Sequence, residues 1–300
     1  MEYLNEKICL VTGASSGIGK ATAMRLAELG AIVILVIRNH TRGERTLNEI
    51  IKVTENKNVY LFITDLSSQT DIQNLAKTIK ENFDRIDILI NNAGAYFSQR
   101  HITVDGIEAT FAVNYLSRFL LTNLLLDLIL NSKQGRIIDI SGEYHRKGKI
   151  NFKDLEFTEK YSGLEATKQA KLAEILFTYE LARRLANTNV TVNSVHPGAV
   201  ATNIIYNDPD AHLVKKFAYR IFSIFLKNPF KAAENIIYLA SSPELNDGTG
   251  KYFIDKNEVL SADLTYDENL AQKLWKASEE MTKIKIDKKE HQPKLNYKVE

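Results

Sequence analysis

Short apolar runs alternate with longer stretches of helical period along most of the chain. Ile8-Cys9-Leu10-Val11 is followed by a periodic stretch from about Gly17 to Leu29, closed by Gly30. Ala31 to Ile37 is a second run with no polar interruption, as expected where both faces of a sheet are covered. Further strands are predicted at Asn58–Thr64, Ile86–Ile90, Gly135–Ser141, Val190–Val195 and Lys251–Ile254. The intervening stretches predict helices over about 41–54, 68–83, 103–130, 162–187 and 229–240. Strand–helix alternation at this spacing implies right-handed βαβ units. The expectation is an α/β chain with a doubly wound, parallel, seven-stranded sheet in one domain over residues 1–282.

Two regions depart from the alternation. Residues 204–228 include His212-Leu213-Val214-Lys215-Lys216-Phe217, then Ala218 to Leu226, an apolar helical stretch with a few basic positions. As a lobe between strand six and the next helix it can cover a substrate cleft, touch a membrane surface, or pack on the body. Residues 283–300 hold nine charged residues and are expected to form a flexible tail.

Composition narrows the function classes. Of 300 residues, 44% are apolar and 25% charged, the balance of an ordinary globular chain. Thirty-nine basic residues against 37 acidic ones leave a net charge of +2, which gives no general drive toward nucleic acid. The single cysteine, Cys9, cannot form an internal disulfide. No apolar run approaches the roughly 18 residues of a membrane span, and the N-terminus lacks a signal-peptide pattern. A cytoplasmic location with no integral membrane segment is expected. No His/Cys/Asp/Glu group has metal-ligand spacing.

The chemistry begins at Thr12-Gly13-Ala14-Ser15-Ser16-Gly17-Ile18-Gly19, between the first strand and the first helix. Glycines here let the chain turn sharply and a pyrophosphate approach the backbone, with helix N–H groups aimed at it. This Rossmann-type spacing is Gly-x-x-x-Gly-x-Gly, with Asn91-Asn92-Ala93-Gly94 after strand four. In both features the chain resembles the short-chain dehydrogenase/reductase family. Its retinol-dehydrogenase-like members are further matched by Phe111 to Leu116, Leu172 to Leu185, Val195-His196-Pro197-Gly198 and Gly250-Lys251-Tyr252-Phe253.

The resemblance implies a set of cofactor contacts. Gly13, Ser15, Ser16, Gly17, Ile18 and Gly19 would cradle the pyrophosphate. Asp65, followed by Leu66, would hydrogen-bond the adenine. Asn91, Ala93 and Gly94 would line the adenosine ribose and nicotinamide side. Pro197, Gly198 and Thr202 would meet the carboxamide or pyrophosphate. Lys171 would bind the nicotinamide ribose, with Asn114 holding a water beside it. An acidic residue ending strand two would favour NAD, but Ile37 stands there, followed by Arg38. A guanidinium suits a 2′-phosphate, so NADP(H) is expected rather than NAD, with Arg42 or Lys20 assisting.

The family's reaction resembles a relay of serine, tyrosine and lysine, and here two members are missing. Thr167 stands four residues before Lys171, where the tyrosine is expected, and Gly142 stands at the serine position. Ser141, one residue earlier, should point to the other side of an extended segment. Losing a positioned general acid costs about 10²–10⁴ in rate. Glu143 and Tyr144, in the loop after Gly142, are the candidate substitutes for the proton donor, and His101 is a further one. Tyr161 is off the expected face, and Tyr252 to Lys256 repeats Tyr-x-x-x-Lys only by coincidence.

Three functions follow from this pattern. The first is an atypical NADP(H)-dependent oxidoreductase transferring hydride to an imine or iminium, a conjugated alkene or a carbonyl in a small apolar substrate. The second is a cyclase or isomerase holding NADP(H) as a structural element. The third is a catalytically inactive NADP(H)-sensing protein. Family members usually associate through helices matching 103–130 and 162–187. Leu120, Leu121, Leu124, Leu125 and Leu128 therefore suggest a homodimer or homotetramer, unless one chain uses that face as core.

Overall fold

The computed structural model describes residues 3–198, Asp210 and residues 228–284. Its strands are β1 (Ile8–Thr12), β2 (Ile32–Ile37), β3 (Val59–Ile63), β4 (Ile88–Asn91), β5 (Gly135–Ile140), β6 (Val190–His196), β7 (Lys251–Ile254) and β8 (Asn257–Glu258). They form one sheet in the order β3-β2-β1-β4-β5-β6-β7-β8. All pairings are parallel except the last, where β8 returns antiparallel on β7. The seven predicted strands are present, and β8 is an eighth that two residues could not announce.

Side chains alternate between the two faces of each strand, which divides the core in two. Leu10, Ile34, Leu89, Ile137 and Val192 face one helical layer, which includes Leu75, Phe119, Leu176 and Trp275. Cys9, Val11, Val33, Leu35, Ile90 and Ile138 face the other, which includes Met24, Ile50 and Ile236. The helices are α1 (Gly17–Glu28), α2 (His40–Thr54), α3 (Gln69–Asn82), α4 (Ala109–Phe111), α5 (Ser117–Leu124), α6 (Leu126–Leu130), α7 (Gly163–Arg184), α8 (Pro229–Ser241) and α9 (Glu268–Thr282).

One predicted helix is not continuous. The stretch 103–130 begins as a turn closed by Gly106 at φ 78° and an Ile102–Glu108 bridge. Glu108 then caps the next segment by accepting from Thr110 and Phe111 N–H at 2.7 and 2.8 Å. A π-helical turn over Ala112–Leu116 joins α4 to α5. Helix α9 was not predicted. It lays Ala271, Leu274 and Trp275 on α7, where the Trp275 ring stacks on Phe177 at 5.8 Å and Arg184 caps it at 3.9 Å. Leu120, Leu121, Leu125 and Leu128 are buried within this one chain. The apolar face suggested for a homodimer is therefore internal core.

Candidate active site

The reversal of strand order between β1 and β4 opens a crevice at the C-terminal ends of the strands, where ligands of such sheets bind. Three residues build its floor. Thr12 Oγ1 accepts from Asn92 and Ala93 N–H at 2.9 and 3.0 Å, and Asn92 Nδ2 donates to Thr12 O at 2.8 Å. Gly13 (φ 67°) fits beneath this staple, because a Cβ there would stand 2.9 Å from Ala93 Cα. Gly19 is equally constrained: a Cβ would meet Gly13 O at 2.5 Å and also Asn92. Thr12 and Asn92 are thus structural parts of the site. The glycine motif contains the first and the Asn-Asn-Ala-Gly motif the second, but neither motif says which side chain does the stapling.

The mouth of this loop is open to an anion. Helices α2, α3 and α7 are capped by Asn39, Ser68 and Ser162, and α3 and α7 carry an acid in the first turn. Helix α1 has Ser16 at its N-cap with no side-chain hydrogen bond, and no acid in its first turn. Its leading N–H groups and the positive end of its dipole are left for a ligand. Asn91 supplies a second signal. It is buried, its Nδ2 donates to Thr122 and Asp139 at 2.9 Å, and its Oδ1 has no partner. It lines a narrow crevice with Thr12, Leu66, Ala93 and Ser117. A dinucleotide fits both features: the uncapped helix end suits phosphate and the orphaned oxygen needs a donor.

The remaining predicted contacts are distributed around this crevice. Ser15, like Ser16, Gly17 and Ile18, lies in the turn into α1. Gly94 approaches Asn114 so closely that a Cβ would stand 3.1 Å from its Oδ1. Asp65 Oδ1 accepts from Ser67 N–H and Oγ at 2.9 and 2.8 Å. Arg38 follows β2, is exposed, and makes no ion pair among the described residues. Lys20 instead pairs with Glu49 at 2.6 Å. Arg42 lies in the first turn of α2, where its backbone N–H donates to the capping Asn39 Oδ1 at 2.9 Å. Pro197 and Gly198 (φ 91°) follow β6, whereas Thr202 lies outside the described residues, as does most of the 204–228 lobe.

The β5–α7 corner is arranged differently. Lys171, on α7, directs Nζ to Glu174 Oε1 and Oε2 at 3.0 and 3.1 Å. Glu174 is fully buried and also accepts from Arg118 of α5 at 3.1 Å. Arg118 reaches Asp139 of β5 at 3.7 Å, and Asp139 accepts from Thr178 at 2.8 Å. Burial lowers the proton affinity of the Lys171 ammonium and Glu174 opposes it, leaving the group below the usual lysine range. Burial pushes the Asp139 carboxyl up, against Arg118, Asn91 and Thr178. No motif signalled this cluster, because Arg118, Asp139 and Glu174 lie inside otherwise apolar runs.

Thr167 Oγ1 donates to Gly163 O at 2.7 Å, one turn back in α7. Gly142 has extended backbone (φ −174°), and a Cβ there would meet only His196 Nδ1, at 3.8 Å. Ser141 turns its hydroxyl to Lys171 O at 3.3 Å, so it faces α7. Asn114 spends both ends of its amide on Ala95: Oδ1 accepts from N–H at 2.7 Å and Nδ2 donates to the carbonyl at 2.9 Å. Its own carbonyl takes Arg118 Nε at 2.7 Å.

The proposed substitute donors are mostly engaged too. Glu143 accepts from Arg146 at 2.9 Å and from Tyr252 OH at 3.4 Å. Tyr144, beside it on the turn Glu143–Lys147, is 53% exposed. His101 meets Asp210 Oδ2 at 2.5 Å. Tyr161 donates to Phe97 O at 3.1 Å and lies against Glu108, and burial raises its pKa well above the usual tyrosine range. His145 is buried. Its Nδ1 lies 2.8 Å from Gly142 O, and its Nε2 accepts from Ala262 N–H at 3.2 Å.

A glycine loop feeding an uncapped helix at the switch point of a parallel sheet is matched across the chain by one family model, short chain dehydrogenase, over residues 7–211. The chain belongs to the short-chain dehydrogenase family. It is 39% identical over 291 residues to retinol dehydrogenase 14 of Homo sapiens, covering 93% of this chain and 87% of the relative. Among solved structures, it superposes with a TM-score of 0.76 on an uncharacterized protein from Mycobacterium paratuberculosis, 28% identical, covering 96% of this chain and 97% of that one. A short-chain dehydrogenase from Shigella flexneri, solved in complex with NADP, has a TM-score of 0.66 at 26% identity, covering 84% of this chain and 98% of that one. As in other open α/β sheets, the crevice lies at the C-terminal edge of the sheet. No helix among the described residues is long and apolar enough to cross a membrane.

Proposed function

We propose that this short-chain dehydrogenase is an NADP(H)-dependent oxidoreductase with an atypical catalytic corner, reducing a small apolar substrate that needs little help from a protein acid. One observation carries the reading. The dinucleotide crevice is built and unsatisfied, at Asn91 Oδ1 and the α1 N-terminus. The corner beside Lys171 meanwhile holds Gly142 and Thr167, and among the described residues no phenol hydrogen-bonds to Lys171 Nζ. In this reading Gly13, Ser15, Ser16, Gly17, Ile18 and Gly19 bind the pyrophosphate, Arg38 the 2′-phosphate, and Asp65 and Leu66 the adenine side. Asn91, Ala93, Gly94, Pro197, Gly198 and Thr202 bind the ribose and nicotinamide side. The bound reduced nicotinamide supplies hydride.

The chain's own residues then position and protonate. Lys171 presents an ammonium with three donors, of which Glu174 occupies at most two. At position 167 a threonine alcohol is a far weaker acid than a phenol, and its proton is already given to Gly163 O. An imine, iminium or conjugated alkene suits such a corner better than an ordinary carbonyl, because its protonation need not accompany hydride arrival. The test is incubation with NADPH and panels of imines, enones and aldehydes, following absorbance near about 340 nm. Loss of absorbance with the first two panels is expected, and no loss with any panel overturns the reading.

The self-satisfied corner favours one second reading, an NADP(H)-sensing protein without turnover. Tight NADPH binding with no consumption of any panel member would select it.

A further inference from the structure

Beneath the corner lies a buried charge cluster of Asp139, Arg118, Glu174 and Lys171. Taking charged groups out of water is costly, and a buried ion pair stabilises a fold no better than well-packed apolar residues. Here Arg118 and Glu174 are both almost wholly inaccessible, at 3% and 0%. They sit between Asp139 on the strand and Lys171, whose side chain alone keeps access to solvent, at 21%. The cluster is thus a chain of alternating sign, Asp139–Arg118–Glu174–Lys171, running from the interior outward. Its outer end is the ammonium. Ser141 ties the backbone of that residue to the C-terminal end of β5, the edge of the sheet where the crevice opens.

From this geometry we infer that Glu174, itself held by Arg118, is a positioning residue: it keeps the Lys171 ammonium charged and fixed at the sheet edge, so that this ammonium, and not a phenol, is the proton source of the corner. The inference rests on the oxidoreductase reading. In the step it describes, a Lys171 N–H bond breaks and its electron pair stays on nitrogen. The proton joins the substrate nitrogen, oxygen or carbon that gains a lone pair when hydride adds, with the dinucleotide as reductant. The free amine is then reprotonated by solvent.

The groups facing Lys171 determine its charge state. Glu174 on its own helix favours the charged form, as does the more distant Asp139 on β5, while Arg118 on α5 and burial disfavour it. His145, on the turn after Gly142, also feels Glu174 and is held neutral by burial. Removing the Glu174 charge leaves Lys171 facing Arg118 with no anion in contact.

Two measurements test this, one of which needs no cofactor. In the first, the unliganded protein is labelled with an N-hydroxysuccinimide ester of acetic acid, and acetylation of Lys171 is followed by mass spectrometry against pH. Glu174→Gln should accelerate labelling at a pH near 8 by about tenfold, the effect of a one-unit fall in pKa. Where that variant does not fold, Glu174→Gln with Arg118→Met removes both charges. Lys171 should still label faster than in the wild type, though by less. Labelling no faster than wild type in whichever variant folds overturns the inference. In the second, the pH profile of NADPH oxidation should lose its alkaline limb about one unit earlier in Glu174→Gln, and an unmoved limb overturns the assignment of Lys171 as proton source. A wild type that does not bind NADPH overturns the oxidoreductase reading instead, and the labelling result still decides whether Glu174 governs the lysine.

Discussion

The two sides of the crevice have opposite electrostatic states. On the β1–β4 side, polar groups are left waiting: the first N–H groups of α1 have no side-chain cap, Asn91 Oδ1 has no partner, and Arg38 is unpaired among the described residues. On the β5–α7 side, the polar groups are already engaged by the chain. Lys171 is on Glu174, Thr167 on Gly163, Asn114 on Ala95, and Glu143 on Arg146. A buried polar group without a partner costs free energy that a ligand can recover, whereas a satisfied one must be pried loose before it can serve a substrate. The contrast separates recognition from chemistry within one cleft. On the proposed reading, binding is built in on one side, and reactivity on the other depends on how firmly the internal partners hold.

The comparison breaks most sharply if the satisfied side is refurnished. Gly142→Ser with Thr167→Tyr should raise aldehyde reduction by about 10²–10⁴, the usual contribution of a positioned acid, measured as kcat/KM with NADPH. The backbone at 142 accepts a side chain, since a Cβ there has room. If the wild type already reduces aldehydes as fast as the double variant, the contrast is false.

On the unsatisfied side, Gly19→Val places carbon against Gly13 O and Asn92. Overpacking of this kind costs about 1–3 kcal/mol, so NADPH affinity should fall by roughly ten- to hundredfold, read by fluorescence titration. A smaller effect follows at the rim. Arg38→Ala should weaken NADPH by about tenfold, the loss of one charge-assisted contact of about 1.5 kcal/mol, while leaving NADH almost unchanged. Equal losses for the two nucleotides would remove Arg38 from the 2′-phosphate site.

The smallest effect sharpens the comparison through pH. His145 is buried as the neutral ring, and its pKa is lowered from the ordinary 6.5, chiefly by burial. Its folded value is depressed, so the unfolded chain binds the proton more readily. The stability His145 contributes is whole above about pH 6.5 and is lost as pH falls through the lower, folded value. Protonation would also set an N–H against the Ala262 N–H that Nε2 now accepts. Thermal melts of His145→Asn between about pH 7 and pH 5 should therefore show a shallower acid decline than the wild type. Parallel declines would exclude His145 as the source.

Much of this architecture was readable from the chain. The unbroken apolar runs fix the strands because both sheet faces are buried, and the glycine spacing fixes the crevice because Gly13 and Gly19 admit no side chain. The 103–130 stretch misled because its apolar period continues through Glu108 and the π-turn, which interrupt the helix without interrupting the pattern. Helix α9 was missed because only a narrow stripe of it, Ala271, Leu274, Trp275, Ser278 and Thr282, faces inward. The charge cluster was invisible for another reason. Arg118, Asp139 and Glu174 come from three separate elements, and only the packing of α5 and α7 against β5 makes them neighbours.

Helix α9 has one further consequence. Its Trp275 closes over Phe119 and Phe177, and it is the last helix in the described chain. During synthesis, those rings must wait for residues 268–282 to leave the ribosome before they are shielded. That makes the nascent protein sticky until this helix has emerged, and it makes chains interrupted before residue 268 natural clients for chaperones.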